Sequence, residues 1–264
     1  MMSVFKSCLK FVGLIGLCIT ALSANANQLD EITKRGTLVV AVPQDFPPFG
    51  SVGSDLQPVG YDVDTAAYLA ESLGVKLELV PVTSANRIPY LQTRKVDLVI
   101  SSMGKNPERE RVIDFSRAYA PFFLGVFGSS DAAVASAADL AGKTVGVTRG
   151  SVEDLELSKL APEDAVIRRF EDNSTTISAY LSGQVELIAT GNLVAAKIAE
   201  KGNSRGLKSK FIIKNSPCYV GTHKGDTELL AKVNELIVAG LTSGKLDELS
   251  MKWFNAELPA ELKL

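Results

Sequence analysis

Short apolar runs alternate along the chain with segments that place apolar side chains at helical spacing. The runs at 37–42 (TLVVAV), 75–80 (VKLELV) and 96–101 (VDLVIS) predict strands buried on both faces. Between them, 64–73 carries Ala67, Leu69, Ala70 and Leu73 on one helical face and stops at Gly74, and 86–93 predicts a shorter helix. That order predicts parallel strands, because parallel neighbours need a crossover and a helix supplies it. After a stretch with glycine and serine at 125–130 the alternation restarts. Strands are predicted at 143–148, 166–170, 186–190, 211–214 and 219–222, with helices at 152–160, 175–181 and 193–200. Two helices, 227–241 and 245–254, close the chain with Gly244 between them. Two arrays of similar size predict an α/β protein of two lobes, with ligands expected beyond the carboxyl ends of the strands.

Residues 1–26 stand outside this pattern. Lys6 and Lys10 precede an uncharged apolar run, 11–22, and Ala24-Asn25-Ala26 offers a small-residue cleavage site. The segment reads as a secretory signal peptide, too short in its apolar part to span a bilayer, which takes roughly 20 residues. Cys18 follows Leu17 rather than a small residue, which argues against lipid attachment, and the mature protein is expected in the periplasm.

The 264 residues are 46% hydrophobic and 22% charged, a globular balance. With 28 basic and 30 acidic side chains there is no basic footprint for nucleic acid. Three cysteines and one histidine, without CxxC or HExxH spacing, leave no disulfide framework and no zinc site. No cofactor or metal is implied. A Ser-His-Asp triad would depend on His223, which reads as a solvated turn residue, so the weight shifts from catalysis to binding. Cys218 reads as a small buried hydrophobe, and Trp253, in phase with Leu246 and Leu249, as core.

Four places that follow strands could carry chemistry. Phe46-Pro47-Pro48-Phe49 holds an aromatic on a stiff loop, where Phe46 could stack on a ligand or Phe49 cap the core. Ser101-Ser102-Met103-Gly104, with Arg109 close behind, combines hydroxyls, backbone N–H groups and a guanidinium, a set suited to a carboxylate. The alternative for Arg109 is a surface pair with Glu108 or Glu110. Thr148-Arg149-Gly150-Ser151 opens a helix and could present N–H groups to an anion, or be an ordinary turn. Thr190-Gly191-Asn192 links another strand to a helix, with Asn192 a candidate cap.

The chain resembles the extracytoplasmic solute-binding proteins, family 3, that feed polar amino acids to ABC importers. The resemblance rests on Gly60-Tyr61-Asp62-Val63-Asp64 with Ala67, Leu69-Ala70 and Leu73-Gly74, one departure being Thr65 where an apolar residue is usual. Leu91-Gln92, Val96-Asp97-Leu98, Pro107-Glu108-Arg109, Asp114-Phe115-Ser116, the run from Ala141 to Val147 and Lys252-Trp253-Phe254 extend it over about 30–257. It implies a type II periplasmic binding fold, with parallel-rich sheets in two lobes, 27–123 plus 220–264 and 124–219. Hinge strands would lie near 123–126 and 218–220. It also implies cleft closure on an amino acid or related carboxylate, and a monomer read by a membrane ABC permease. A sensory module and a dehydratase of a cyclohexadiene acid are the alternatives. The latter needs a general acid that Thr190-Gly191-Asn192-Leu193-Val194 lacks.

By this resemblance Phe46 stacks on the ligand, Arg109 grips its α-carboxylate, and Ser101, Ser102, Gly104, Thr148 and Ser151 contribute polar contacts. Arg87 would clamp a second carboxylate, and Ser84 replaces a second aromatic. Gly191 replaces the aspartate that usually holds the α-ammonium. A buried ammonium without an anion is costly, so Asp45, Glu153 and Asp154 become candidate partners. The small residues at Ser84, Gly104 and Gly191 predict a roomier cleft.

Overall fold

The computed structural model describes residues 27–200 and 205–263, so the signal segment read over 1–26 lies outside the described residues. The chain begins with α1 (Gln28–Arg35), β1 (Thr37–Pro43), and a small meander, β2 (Asp45–Phe46), β3 (Gly50–Val52) and β4 (Pro58–Val59). Then come α2 (Tyr61–Ser72), β5 (Lys76–Val82), α3 (Arg87–Gln92), β6 (Leu98–Met103), α4 (Pro107–Glu110) and β7 (Ile113–Ala120). A second run follows: β8 (Phe123–Ser129), a 3-10 turn (Ala137–Leu140), β9 (Thr144–Thr148), α5 (Val152–Leu160), β10 (Val166–Phe170), α6 (Asn173–Leu181), β11 (Leu187–Gly191), α7 (Asn192–Glu200) and β12 (Leu207–Asn215). The chain ends with β13 (Cys218–His223), α8 (Thr227–Thr242), α9 (Lys245–Phe254) and α10 (Ala260–Lys263).

The strands build two five-stranded sheets, ordered β5-β1-β6-β13-β7 and β10-β9-β11-β8-β12. Helix-linked strands pair in parallel, β5 and β6 on β1, β10 and β11 on β9. The sheets are mixed rather than wholly parallel. β13 and β8 each enter directly from the other sheet, without a covering helix, and pair antiparallel with both neighbours. The chain passes between sheets twice, at Pro121-Phe122 and at Ser216-Pro217, each crossing lying just before the strand expected as a hinge. The Ser216 N–H donates to the Phe122 carbonyl at 3.0 Å, tying one crossing to the other. One buried apolar cluster runs from Leu38 and Ile100 in the first sheet through Phe46, Phe49 and Phe122 to Leu124 and Ile188 in the second and Val194 on α7.

Local chemistry explains several elements. α1 is capped by Asn27, whose side chain accepts from the Asp30 N–H, and stops at Gly36 with φ 70°. Thr65 is fully buried, and its hydroxyl returns to the Tyr61 carbonyl at 2.8 Å, so this polar residue leaves no unpaired group. Cys218 is a buried free thiol. The Trp253 indole N–H reaches the Asp64 carboxylate at 2.6 Å, so this residue is half core and half polar anchor.

Asp62, on α2, is fully buried and accepts from the Ser102 N–H and the Tyr119 hydroxyl, both at 2.6 Å. Burial pushes its carboxyl up to about 7, against these two donors and Arg87, which favour the ionised form. The unfolded carboxyl loses its proton near 3.8 and the folded one near 7, so in that window the folded chain binds more protons. Stability from this group therefore falls as pH rises, by about 1.4 kcal/mol per unit and roughly 4 kcal/mol in all. Urea unfolding at pH 5 and pH 8 should show about 2.7 kcal/mol of that loss in the wild type and much less of it in Asp62→Asn; parallel curves would assign the slope to other groups.

Candidate functional site

A cavity of about 20 Å³, room for about one water molecule, lies between the sheets, at the carboxyl ends of β1, β5, β6, β9 and β11. From the first sheet it is lined by Phe46, Ser84, Arg87, Ser101, Ser102 and Gly104, and from the second by Thr148, Ser151, Glu153 and Thr190. The folded chain thus brings together most of the residues singled out by sequence. It also brings in residues that sequence reasoning passed over: Phe122 and Ser216 at the two crossings, and Asn173 at the start of α6.

Several polar lining groups are held from behind. The Asp62 bond fixes Ser102, whose φ of 41° is left-handed for a side-chain-bearing residue. The Thr148 hydroxyl meets the Asn173 amide oxygen and the Thr176 hydroxyl, both at 2.8 Å, which locks β9 to α6. Ser151 caps α5, accepting from the Asp154 N–H at 3.1 Å. Phe46 stacks on Phe49 at 6.0 Å and meets Phe122 at 6.1 Å, while Phe49 itself is wholly core.

The two arginines differ from expectation. Arg87 lines the cavity, with Nε on the Ser84 carbonyl at 3.2 Å and Nη1 on the Ser101 carbonyl at 2.7 Å. Arg109 borders instead a neighbouring, more open pocket with Ile88, Val112 and Leu155. Its Nη1 donates to the Gly104 carbonyl at 2.6 Å and its Nη2 to the Gly150 carbonyl at 2.9 Å, so it bridges the sheets. It pairs with neither Glu108 nor Glu110; Glu108 joins Lys159 of α5 instead. Burial, and then the Arg87 charge, bring the Arg109 guanidinium down to about 9, and burial also lowers Arg87. Glu153 raises both. Its own carboxyl is pushed up by burial, against its own backbone N–H, Ser151 and the two arginines. No ion pair joins Glu153 to either arginine.

Three expectations need correction. Asp45 accepts from the Asn173 N–H at 2.6 Å, the Asn173 side chain at 3.1 Å and the Ser174 N–H at 3.2 Å. It caps α6 from across the cleft and lies outside the cavity wall, so an ammonium would have to break these bonds. Asp154 is likewise taken, pairing with Arg169 at 2.8 Å. The cleft is not roomier at its glycines. A Cβ on Gly191 would sit 1.8 Å from the Phe122 ring, and one on Gly104 would sit 2.3 Å from the Ser216 hydroxyl. Crossing residues fill both spaces, and Gly191 itself does not line the cavity. The Asn192 side chain accepts from the Phe123 N–H at 3.1 Å, so it braces the first crossing rather than capping its own helix.

The model of the bacterial extracellular solute-binding proteins, family 3, matches residues 38–256. The chain belongs to that family. Its fold is that of the type II periplasmic binding proteins. It is 29% identical over 237 residues to the L-cystine-binding protein TcyJ of Escherichia coli strain K12, covering 89% of each chain. It is 27% identical over 238 residues to the ABC transporter glutamine-binding protein GlnH of Bacillus subtilis, covering 88% of this chain and 86% of the relative. Among solved structures, the ancestral amino acid-binding protein AncCDT-1, a precursor of cyclohexadienyl dehydratase, is 36% identical with a TM-score of 0.79. That match covers 86% of this chain and 99% of the other.

The fit between Gly191 and the Phe122 ring gives this family member a direct test. Gly191→Ala must displace a ring packed on Phe46 and Phe49, which should lower stability by roughly 1–3 kcal/mol. Combining it with Phe122→Ala should cost less than the sum of the two single changes. Denaturant unfolding of the four proteins measures this, and strict additivity would mean that the ring moves aside freely.

Proposed function

We propose that the protein is the ligand-capturing component of an ABC importer and that it takes a zwitterionic amino acid into this cavity. One observation carries the reading: a buried guanidinium, Arg87, and a buried carboxylate, Glu153, line the same cavity without pairing with each other. A free α-amino acid carries the two complementary charges. Its carboxylate meets Arg87 beside the N–H and hydroxyl groups of Ser101 and Ser102. Its ammonium meets Glu153, which takes the part that Asp45 and Asp154 cannot. Arg109 stays on the Gly104 and Gly150 carbonyls and acts as a bolt across the cleft rather than as the primary carboxylate anchor.

The units carrying the two sheets, divided at Pro121-Phe122 and Ser216-Pro217, act as lobes that close on the ligand. A ligand that binds the closed arrangement more tightly shifts the population towards it. Asp45 with α6, Arg109 with Gly150, and Glu108 with Lys159 are the polar links of that closed arrangement. The closed protein is then the form offered to a membrane permease, from the periplasm, and it works as a monomer. The relatives favour capture over turnover, since even the ancestral neighbour that precedes a dehydratase is itself an amino acid-binding protein.

A thermal-shift panel of L-glutamine, L-arginine, L-cystine and L-glutamate should contain a ligand that stabilises the protein by roughly 2.7 kcal/mol at about 100 times its dissociation constant. Glu153→Gln should weaken that ligand by about 2–5 kcal/mol, the scale for removing one half of a buried charge pair. An unchanged affinity would end the role of Glu153 as ammonium partner. Asp45→Ala, outside the cavity, should weaken the same ligand by about 0.5–2 kcal/mol, the worth of a helix cap. Calorimetric titration reads this, and equal affinities would remove Asp45 from closure.

A further inference from the structure

The two crossings do more than connect the sheets. Phe122 and Ser216 both line the cavity and are joined by the Ser216 N–H to Phe122 carbonyl bond of 3.0 Å. Each stands where a glycine has left space, the ring over Gly191 and the hydroxyl over Gly104. The two pairs are sterically exclusive, because a side chain on either glycine would overlap its crossing residue.

The two crossing residues differ in what they leave unmet. The Phe122 ring is part of the core, edge-on to Phe49 at 5.3 Å and tilted on Phe46 at 6.1 Å. It covers Gly191, the last residue of β11, with apolar surface, while Thr190 beside it still lines the cavity. Ser216 is 3% exposed, and its hydroxyl finds no hydrogen-bond partner among the described residues. The Gly104 carbonyl nearby already accepts from Arg109. Folded proteins seldom keep a buried hydroxyl unpaired, and such a group calls for a partner from outside the chain.

We propose that the crossings select the ligand: the Ser216 hydroxyl hydrogen-bonds a polar group of the bound amino acid, and the Phe122 ring packs on its apolar stem. With Gly191 covered by the ring, the ligand's ammonium is directed to Glu153 on α5. The inference rests on the reading of this cavity as the amino-acid site. It adds that selectivity is set by the segments about which the two sheets would move. Ser216 also borders a shallow pocket with Asn106 and Tyr219, so the experiment must separate the two sides of this residue.

Ser216→Ala, Phe122→Leu and Glu153→Gln are titrated calorimetrically with L-glutamine, L-arginine, L-cystine and L-glutamate, and their unfolding midpoints are measured without ligand. Ser216→Ala should keep or raise the midpoint, since it removes an unpaired group, yet weaken the tightest of these ligands about 3- to 10-fold, the scale of one neutral hydrogen bond. Phe122→Leu should change the ranking of the four ligands. If Glu153→Gln loses binding while Ser216→Ala and Phe122→Leu keep wild-type affinities and ranking, the crossings do not select and the site reading stands alone. A Ser216→Ala variant that loses stability but binds as the wild type would place the hydroxyl on the Asn106 side and overturn the proposal. Wild-type binding by Glu153→Gln would overturn the site reading, and this inference with it.

Discussion

Two sheets joined by only two passages of chain hold a defined relation only if the passages themselves are defined. Here each passage is a dipeptide containing a proline, Pro121-Phe122 and Ser216-Pro217, and a backbone hydrogen bond ties one to the other. Proline limits the backbone of each crossing, and the bond removes their freedom to slide. Everything in the cleft is referred to this cross-link. It sets the Phe122 ring over Gly191, the Ser216 hydroxyl over Gly104, and through Asn192 the start of β8. The apolar cluster that continues through Phe122 from one sheet to the other makes the same junction a packed one.

Around that junction the protein buries charge, which folding alone disfavours. Arg87, Arg109, Glu153 and Asp62 are all nearly or wholly inaccessible to water. Each is shifted by burial towards its neutral form, the arginines downwards and the acids upwards. A fold selected only for stability would fill such positions with hydrocarbon. Their retention makes sense if a ligand completes the set. A carboxylate beside Arg87 and an ammonium beside Glu153 would add direct counter-charges to the attraction that these two residues exert on each other without contact. Asp62 extends this electrostatic unit behind the wall, since it holds the Ser102 backbone and contributes to the field at Arg87.

Much of this architecture was legible in the sequence. The helix-linked strands and the helices on them follow directly from periodicity, and the family motifs added the two-lobed frame. What escaped notice did so for physical reasons. β7 has a burial pattern without period two, so its eight residues carry no alternation to detect. β12 is broken by register shifts after Ser209 and after Ile212, which left only its middle recognisable. α1 was readable, with an asparagine cap, acids in the first turn, bases in the last and glycine at its stop, but it adjoins the signal segment and was overlooked. The site was harder. Asp45 and Glu153 are alike as acids near strand ends, and only three-dimensional placement gives one to a helix terminus and the other to the cavity.

The glycines mark the limit of reading a site by residue type. Gly104 and Gly191, taken singly, signal missing bulk, and missing bulk signals space. In the folded chain the space is filled from more than one hundred positions away in one case and about seventy in the other, by residues that no local pattern marks (Ser216 in front of Gly104, Phe122 in front of Gly191). A small residue in a cleft therefore says nothing about cleft volume until the residue facing it is known, because interiors are close-packed and an unfilled gap is itself costly. In this protein the exchange changes chemistry as well as shape. An aromatic ring faces the end of β11, a hydroxyl faces Gly104, and the acid left facing the cavity is Glu153, on α5 rather than on a strand end. What faces each glycine, a ring at Gly191 and a hydroxyl at Gly104, is thus set by the crossing residues, whose backbones are joined by one hydrogen bond.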